Sequence, residues 1–196
     1  MKRITILILA LFSIATCIGC AKQSGFSAED TETYTYQKAG YSLDIPKGWE
    51  KCLEDKNMVG FVSSEPAAAL NIVFEIGGYD YYSLDNLARE VCFFLGKKID
   101  SLKLETLENK YHNGWEACWF VVGGVLPGKQ KVVIKGFIFE PDIGIRYYLL
   151  FTSEKNEYSR LEIIFDKIAG SFRMVKSQDE LYQQLFEPGK EKAEAE

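Results

Sequence analysis

Tyr41-Ser42-Leu43-Asp44-Ile45-Pro46-Lys47-Gly48-Trp49 is the stretch whose reading decides the fold. Tyr41, Leu43 and Ile45 alternate with Ser42 and Asp44, the period of a strand with one apolar face. Pro46 cannot donate to a sheet ladder and stops the strand, Gly48 permits a bend, and Trp49 brings a large ring to the core. Upstream, Tyr34 to Lys38 alternates in the same way and Ala39-Gly40 turns the chain back, so the two runs predict a β-hairpin. Further strands are predicted over 49–54, 58–63 and 69–76. In the last, Leu70, Ile72, Phe74 and Ile76 share one face, with Asn71, Val73 and Glu75 on the other.

Beyond these strands the period changes. Leu84, Leu87, Ala88, Val91, Phe94, Leu95 and Ile99 recur every three or four residues, the apolar stripe of a helix. Ser83 is its N-cap candidate, and Asp85 suits the positive end of the helix dipole. Four strands follow over 101–111, 115–123, 130–140 and 144–152, with Asn113-Gly114 as a tight-turn signal between the first two. A second helix over 155–170 carries Tyr158, Leu161, Phe165, Ile168 and Phe172 on one stripe, and Gly170 marks its end. Two strand clusters, each closed by an amphipathic helix, predict an α+β domain over 34–174: an antiparallel β-sheet covered by amphipathic helices. Residues 175–196 read as a short amphipathic helix, opened by the capping box Ser177 to Glu180, and a disordered charged tail. The helix is read either as sealing an edge of the domain or as a partner-binding peptide.

The first twenty residues have another character. Lys2 and Arg3 precede an apolar run of roughly 16 residues, shorter than the ~20 that a spanning helix needs. Small residues then lead to Gly19-Cys20, the plan of an export signal. Taking away residues 1–19 removes two basic residues and no acid, and 21 basic residues then face 28 acidic ones. So acidic a chain without a basic cluster excludes nucleic acid as a partner and gives no electrostatic hold on anionic lipid. Cys52, Cys92 and Cys118 lie too far apart in sequence for a zinc motif. An exported compartment permits disulfides, so buried thiols and one disulfide both stay open.

Two resemblances extend this reading. Gly19-Cys20 after the apolar run resembles the lipobox of bacterial lipoproteins, although Cys17 stands where such signals favour leucine. The resemblance implies cleavage before Cys20 and acylation of that cysteine. Residues 1–19 would then be the signal peptide, and residues 20–33 a lipidated cysteine and flexible tether. Such an anchor holds the domain on the extracytoplasmic face of a bacterial membrane, outer or cytoplasmic. The Tyr41–Trp49 segment, in turn, resembles the aromatic-x-φ-x-φ-P-x-G-W opening of PsbP-like domains, as in an extrinsic photosystem II subunit and DcrB-type lipoproteins. The order of elements agrees over about residues 33–174. This implies an α/β/α sandwich without common catalytic residues, acting as an accessory or binding domain.

Catalytic constellations are thin. The one histidine, His112, precedes Asn113-Gly114 and reads as an exposed turn residue. No nucleophile elbow, phosphate loop or His-Glu-x-x-His pattern occurs, and Asp80 and Asp85 lack the spacing of a calcium loop. Neither catalytic residues nor a metal or cofactor is expected, and the chain is read as not an enzyme. Trp115 and Trp119 share one strand face, with Cys118 and Phe120 on the other, so that strand reads as covered on both sides. Tyr79, Tyr81 and Tyr82, beside Gly77-Gly78, offer the amphipathic area enriched at interfaces and are the candidate binding residues. The function expected is a membrane-anchored envelope lipoprotein, non-catalytic, with an envelope protein as partner. The alternative is a carrier or sensor of a small apolar ligand held between sheet and helix.

Overall fold

The structure is a computed structural model describing residues 30–76, 82–142 and 144–186. The signal sequence, Cys20, the tether up to residue 29, Tyr79, Asp80, Tyr81 and the tail from residue 187 lie outside the described residues.

Strand β2 (Tyr41–Pro46) pairs antiparallel with β1 (Thr31–Tyr36), from Tyr36 opposite Tyr41 to Thr31 opposite Pro46. Gly40 makes the connection at φ +64°, a left-handed conformation that suits glycine. At the far end the Trp49 amide donates to the Pro46 carbonyl at 3.2 Å while Gly48 sits at φ +90°, a type II turn with glycine where it is required. Trp49 is buried, as the sequence reading has it. Strand β1 starts three residues before its visible alternation because Thr31–Thr33 are held by backbone pairing to β2, not by burial.

The chain then builds β3 (Glu50–Asp55), β4 (Met58–Ser64) and β5 (Ala67–Ile76), crosses through helix α1 (Leu84–Leu95), and returns as the meander β6 (Asp100–His112), β7 (Trp115–Val125), β8 (Lys131–Asp142) and β9 (Ile145–Glu154). These seven strands form one antiparallel sheet in the order β3-β4-β5-β9-β8-β7-β6. Its two halves join where Ala68–Ile76 pairs with Ile145–Ser153. Helix α2 (Tyr158–Gly170), the two-residue strand β10 (Arg173–Met174) and helix α3 (Gln178–Phe186) complete the chain, and β10 adds to β2 as a small second sheet.

Helix α1 ends at Leu95 rather than running to Ile99, yet Ile99 remains buried because the following turn carries it onto the same core. Leu87, Val91 and Leu95 lie against the aliphatic face of the large sheet. Helix α2 and the small sheet cover the opposite face, so layers of helix, sheet and helix give the expected α+β architecture. The third helix seals an edge: Leu181 is fully buried, and a Cβ placed on Gly40 would stand 2.7 Å from its Cδ2. Of its predicted apolar side, Leu181 and Tyr182 pack against this core. Among the described residues no helix is long and apolar enough to cross a membrane.

Candidate functional site

Asn113 and Gly114 both have positive φ, 50° and 86°, so β6 and β7 are joined by the type I′ turn their sequence announces. This hairpin end reaches the C-terminus of α2, where backbone carbonyls lack intrahelical donors. His112 Nε2–H donates to the Ala169 carbonyl at 3.0 Å, and the Asn113 side-chain amide donates to the Phe172 carbonyl at 3.1 Å. The neutral ring therefore carries its proton on Nε2. It stands edge-on to Phe137 at 4.9 Å. Burial holds its pKa below the ordinary histidine value, outweighing the carbonyl, which pulls the other way. His112 is thus a half-buried cap on a helix end and not the exposed turn residue expected. Gly170 ends α2 as predicted but stays helical itself; the Ser171 and Phe172 amides and the Ser171 hydroxyl return to the Lys167, Ile168 and Ala169 carbonyls, and His112 adds a second donor to Ala169.

A groove of about 460 Å³ opens beside this cap, lined by Thr106, Glu108 and Lys110 of β6, His112, Trp119 of β7, Lys135 of β8, and Glu162 and Asp166 of α2. Lys135 is the one charge inside the apolar run Val132–Phe139 and is 7% exposed. Its ammonium donates to Asp166 at 2.6 Å and to Glu162 at 3.1 Å, and lies 5.1 Å from the centre of the Trp119 ring. Glu162 and Asp166 are four apart on α2, so one turn presents both carboxylates to the same cation. Burial raises the Glu162 carboxyl, but the Lys135 ammonium and the Tyr158 hydroxyl, which donates to it at 3.0 Å, outweigh that and hold it below its usual value. The sequence reading missed this trio. A lone lysine in an apolar strand was the signal that could have found it.

Around the edge of β6 lies a second groove of about 460 Å³, lined by Tyr82, Ser83, Leu84, Tyr111, Trp115, Glu116, Glu140 and Pro141. Tyr111 borders both grooves and is 76% exposed, while Tyr82 is 56% exposed. Of the three candidate tyrosines, the structure therefore places Tyr82 on a groove wall. Trp115 stacks on Phe139 with ring centres 5.7 Å apart, its own ring half-buried. Trp115 and Trp119 do share a face with each other, opposite buried Cys118 and Phe120, but that face is covered only in part. Here the reading of β7 as fully covered is corrected: α2 lies over β8 and β9 and reaches the β6 edge only at its C-terminal end, through His112.

Chemically this is an aromatic rim with paired charges. The space between sheet and helices, where a carried ligand would sit, is filled by Phe137, Phe139, Tyr147, Phe151, Phe165 and Phe172, all fully buried. Burial pushes the Cys92 and Cys118 thiols up to about 11, which keeps both protonated and poorly nucleophilic. Cys52 lies exposed at the bulge of β3. Among the described residues no three His, Cys, Asp or Glu side chains gather as metal ligands do.

No family model and no curated protein sequence matches the chain. Solved structures match it in fold. Cyanobacterial PsbP (CyanoP) from Synechocystis sp. PCC 6803 superposes with a TM-score of 0.59 at 13% identity, covering 80% of this chain and 99% of that one. Protein PA94 from Pseudomonas aeruginosa gives 0.53 at 14%, covering 76% and 99%. The Ran-binding protein Mog1p from Saccharomyces cerevisiae gives 0.53 at 10%, covering 75% and 96%. Identities this low speak for architecture, and one architecture serves many functions. The chain has the PsbP-like fold.

Proposed function

We propose that this is a cell-envelope lipoprotein whose PsbP-like domain is a non-catalytic binding module. Acylated Cys20 tethers it to the membrane, and an envelope protein docks on the aromatic rim around the β6–β7 hairpin. The observation that carries the docking reading is the exposure of Tyr111, 76%, where the two grooves meet, and of Tyr82, 56%, on the wall of the second. Large rings left in water beside partly covered tryptophans are the anchors that protein interfaces use. The chemistry inventory supports a module without catalysis, since the single histidine is engaged as a helix cap and the Cys92 and Cys118 thiols stay protonated. The basic start, the apolar run and Gly19-Cys20 support the anchor.

Crosslinking of the full chain in native membranes, followed by mass spectrometry, tests both parts. The expected result is an acylated fragment beginning at Cys20, and one reproducible protein partner that is lost when Tyr82 and Tyr111 are both changed to serine. An unmodified N-terminus cut elsewhere removes the anchor. A partner kept by the double variant moves the docking site off the rim, and a copurified small molecule without a protein favours a carrier.

A further inference from the structure

Strand β6 ends the seven-stranded sheet, and no backbone hydrogen bond among the described residues reaches its outer edge. Its pairing with β7 is irregular near the start, between Asp100 and Lys103 and between Leu104 and Thr106, then unbroken from Thr106 to His112. The opposite edge is different. Strand β3 has six residues and a bulge at Cys52, and its end is covered by the Tyr36 hydroxyl, which donates to the Asp55 carbonyl at 2.7 Å. Folded proteins normally blunt a sheet edge by such bulges, covers or charges. Among the described residues the straight part of β6 has no bulge or cover, and its charges come as one acid and one base.

Thr106-Leu107-Glu108-Asn109-Lys110-Tyr111-His112 is complementary to itself. Set antiparallel against a second copy with a twofold axis at Asn109, Glu108 stands opposite Lys110 twice. Leu107 stands opposite Tyr111 twice, and Thr106 opposite His112 twice. Opposed residues in an antiparallel pair share a face, so the charged pairs fall on the Trp119 side and the apolar pairs on the α1 side. Neighbouring registers lose this match. An axis at Glu108 sets two glutamates against each other, and one at Lys110 sets two lysines. A shift of one residue puts Leu107 against Lys110. Like charges directly opposite are unfavourable, so only the Asn109 register is selected. It would also cover Tyr111, the most exposed large hydrophobic side chain among the described residues.

We infer that β6 pairs with β6 of a second copy about an axis at Asn109, joining the two seven-stranded sheets into one. This self-pairing goes beyond the docking of a foreign partner and does not depend on acylation. Seven residues of strand make a smaller contact than the ~1,600 Å² of a standard interface, so the expected dissociation constant is micromolar or weaker. Confinement to a shared membrane surface would raise the effective concentration.

The test uses the full chain in neutral phosphatidylcholine vesicles, and in detergent for sedimentation velocity over a concentration series. Asn109 meets its own copy with Cα atoms ~5 Å apart, within disulfide reach, so Asn109→Cys should form a covalent dimer on mild oxidation well above the wild-type background. Thr106→Cys should not, since its partner in this register is His112. Glu108→Lys and Lys110→Glu should each weaken association at least tenfold, and the double swap should restore it, which no folding defect would do. A wild-type chain that stays monomeric at every concentration, or single charge variants that associate as well as wild type, would overturn the inference. The purified chain in these assays meets no foreign partner, so these outcomes are separate from loss of the docked partner.

Discussion

The two faces of the seven-stranded sheet bury similar lengths of strand with different side chains. Toward α2 and the small sheet the core is aromatic: Tyr41, Phe74, Phe137, Phe139, Tyr147 and Phe172 form a network, with Phe172 4.5 Å from Phe139 and 5.1 Å from Tyr147 between ring centres. Toward α1 the core is mainly aliphatic, with Val73, Leu87, Val91, Leu95, Val122, Ile134 and Leu150 around Phe120. One amphipathic helix closes the aliphatic face. Closing the aromatic face takes α2, the β1–β2 hairpin, β10 and α3, elements distant in sequence. Polar ring tips tie those elements together, as where the Tyr147 hydroxyl donates to the Ala39 carbonyl at 2.6 Å. Where that covering runs out, the half-buried rings of Trp115 and Trp119 are left at a rim. An aliphatic face sealed by one helix makes a core; an aromatic face assembled from several elements also makes a border on which a partner can dock.

Four substitutions break or sharpen this contrast. Phe172→Ala removes a fully buried ring that touches Tyr41, Trp115, Phe139 and Tyr147, and should cost about 3–5 kcal/mol in urea unfolding. A cost near 1 kcal/mol would mean that the aromatic network is not a joint core. On the other face, a Cβ on Gly136 would stand 2.0 Å from Phe120 Cζ, so Gly136→Ala should destabilise by about 3 kcal/mol through overpacking. A neutral result would show that the Phe120 ring moves aside and that the aliphatic face is loosely packed.

Tyr147→Phe keeps the ring and deletes only its bond to Ala39, leaving a buried carbonyl without its donor. About 1–2 kcal/mol is expected from the same unfolding measurement. The smallest effect is at His112. Its native pKa lies below the ordinary ~6.5, so the folded state binds fewer protons than the unfolded one just under that pH. The stability it contributes is present above ~6.5 and is lost as pH falls through the native value. In a chain with one histidine, stability should therefore decline slightly between pH 7 and 5. Glu162, also lowered, responds only under its ordinary carboxylate value, which separates the two. His112→Gln, which can still donate to Ala169, should flatten the slope above pH 5; an unchanged slope would assign it elsewhere.

Much of this was readable from the chain because it is local. Alternation gave the hairpin strands, Pro46-Lys47-Gly48-Trp49 gave the turn, and Asn113-Gly114 gave the type I′ corner, each within a few residues. The candidate site was readable only in fragments. Tyr82 and the shared face of Trp115 and Trp119 were visible in the order of residues. That His112 would cap α2, 57 residues away in sequence, was not, since a turn motif predicts the bend and says nothing of what the bend will meet. Lys135 stood out as a charge in an apolar strand, but Glu162 and Asp166 look like any solvated pair on a helix until α2 lies over β8.

Backbone sterics and the spacing of apolar side chains act over one to four residues, so element types, turns and the apolar face of each strand follow from the order of amino acids. Which elements meet is another matter. The pairing of β5 with β9, the seating of Leu181 on Gly40, and the early end of α2's cover at the β6 edge are settled by how several faces can be buried at once. Those choices place the rim and its tyrosines, because burial is a property of the whole packed sheet and not of any stretch within it.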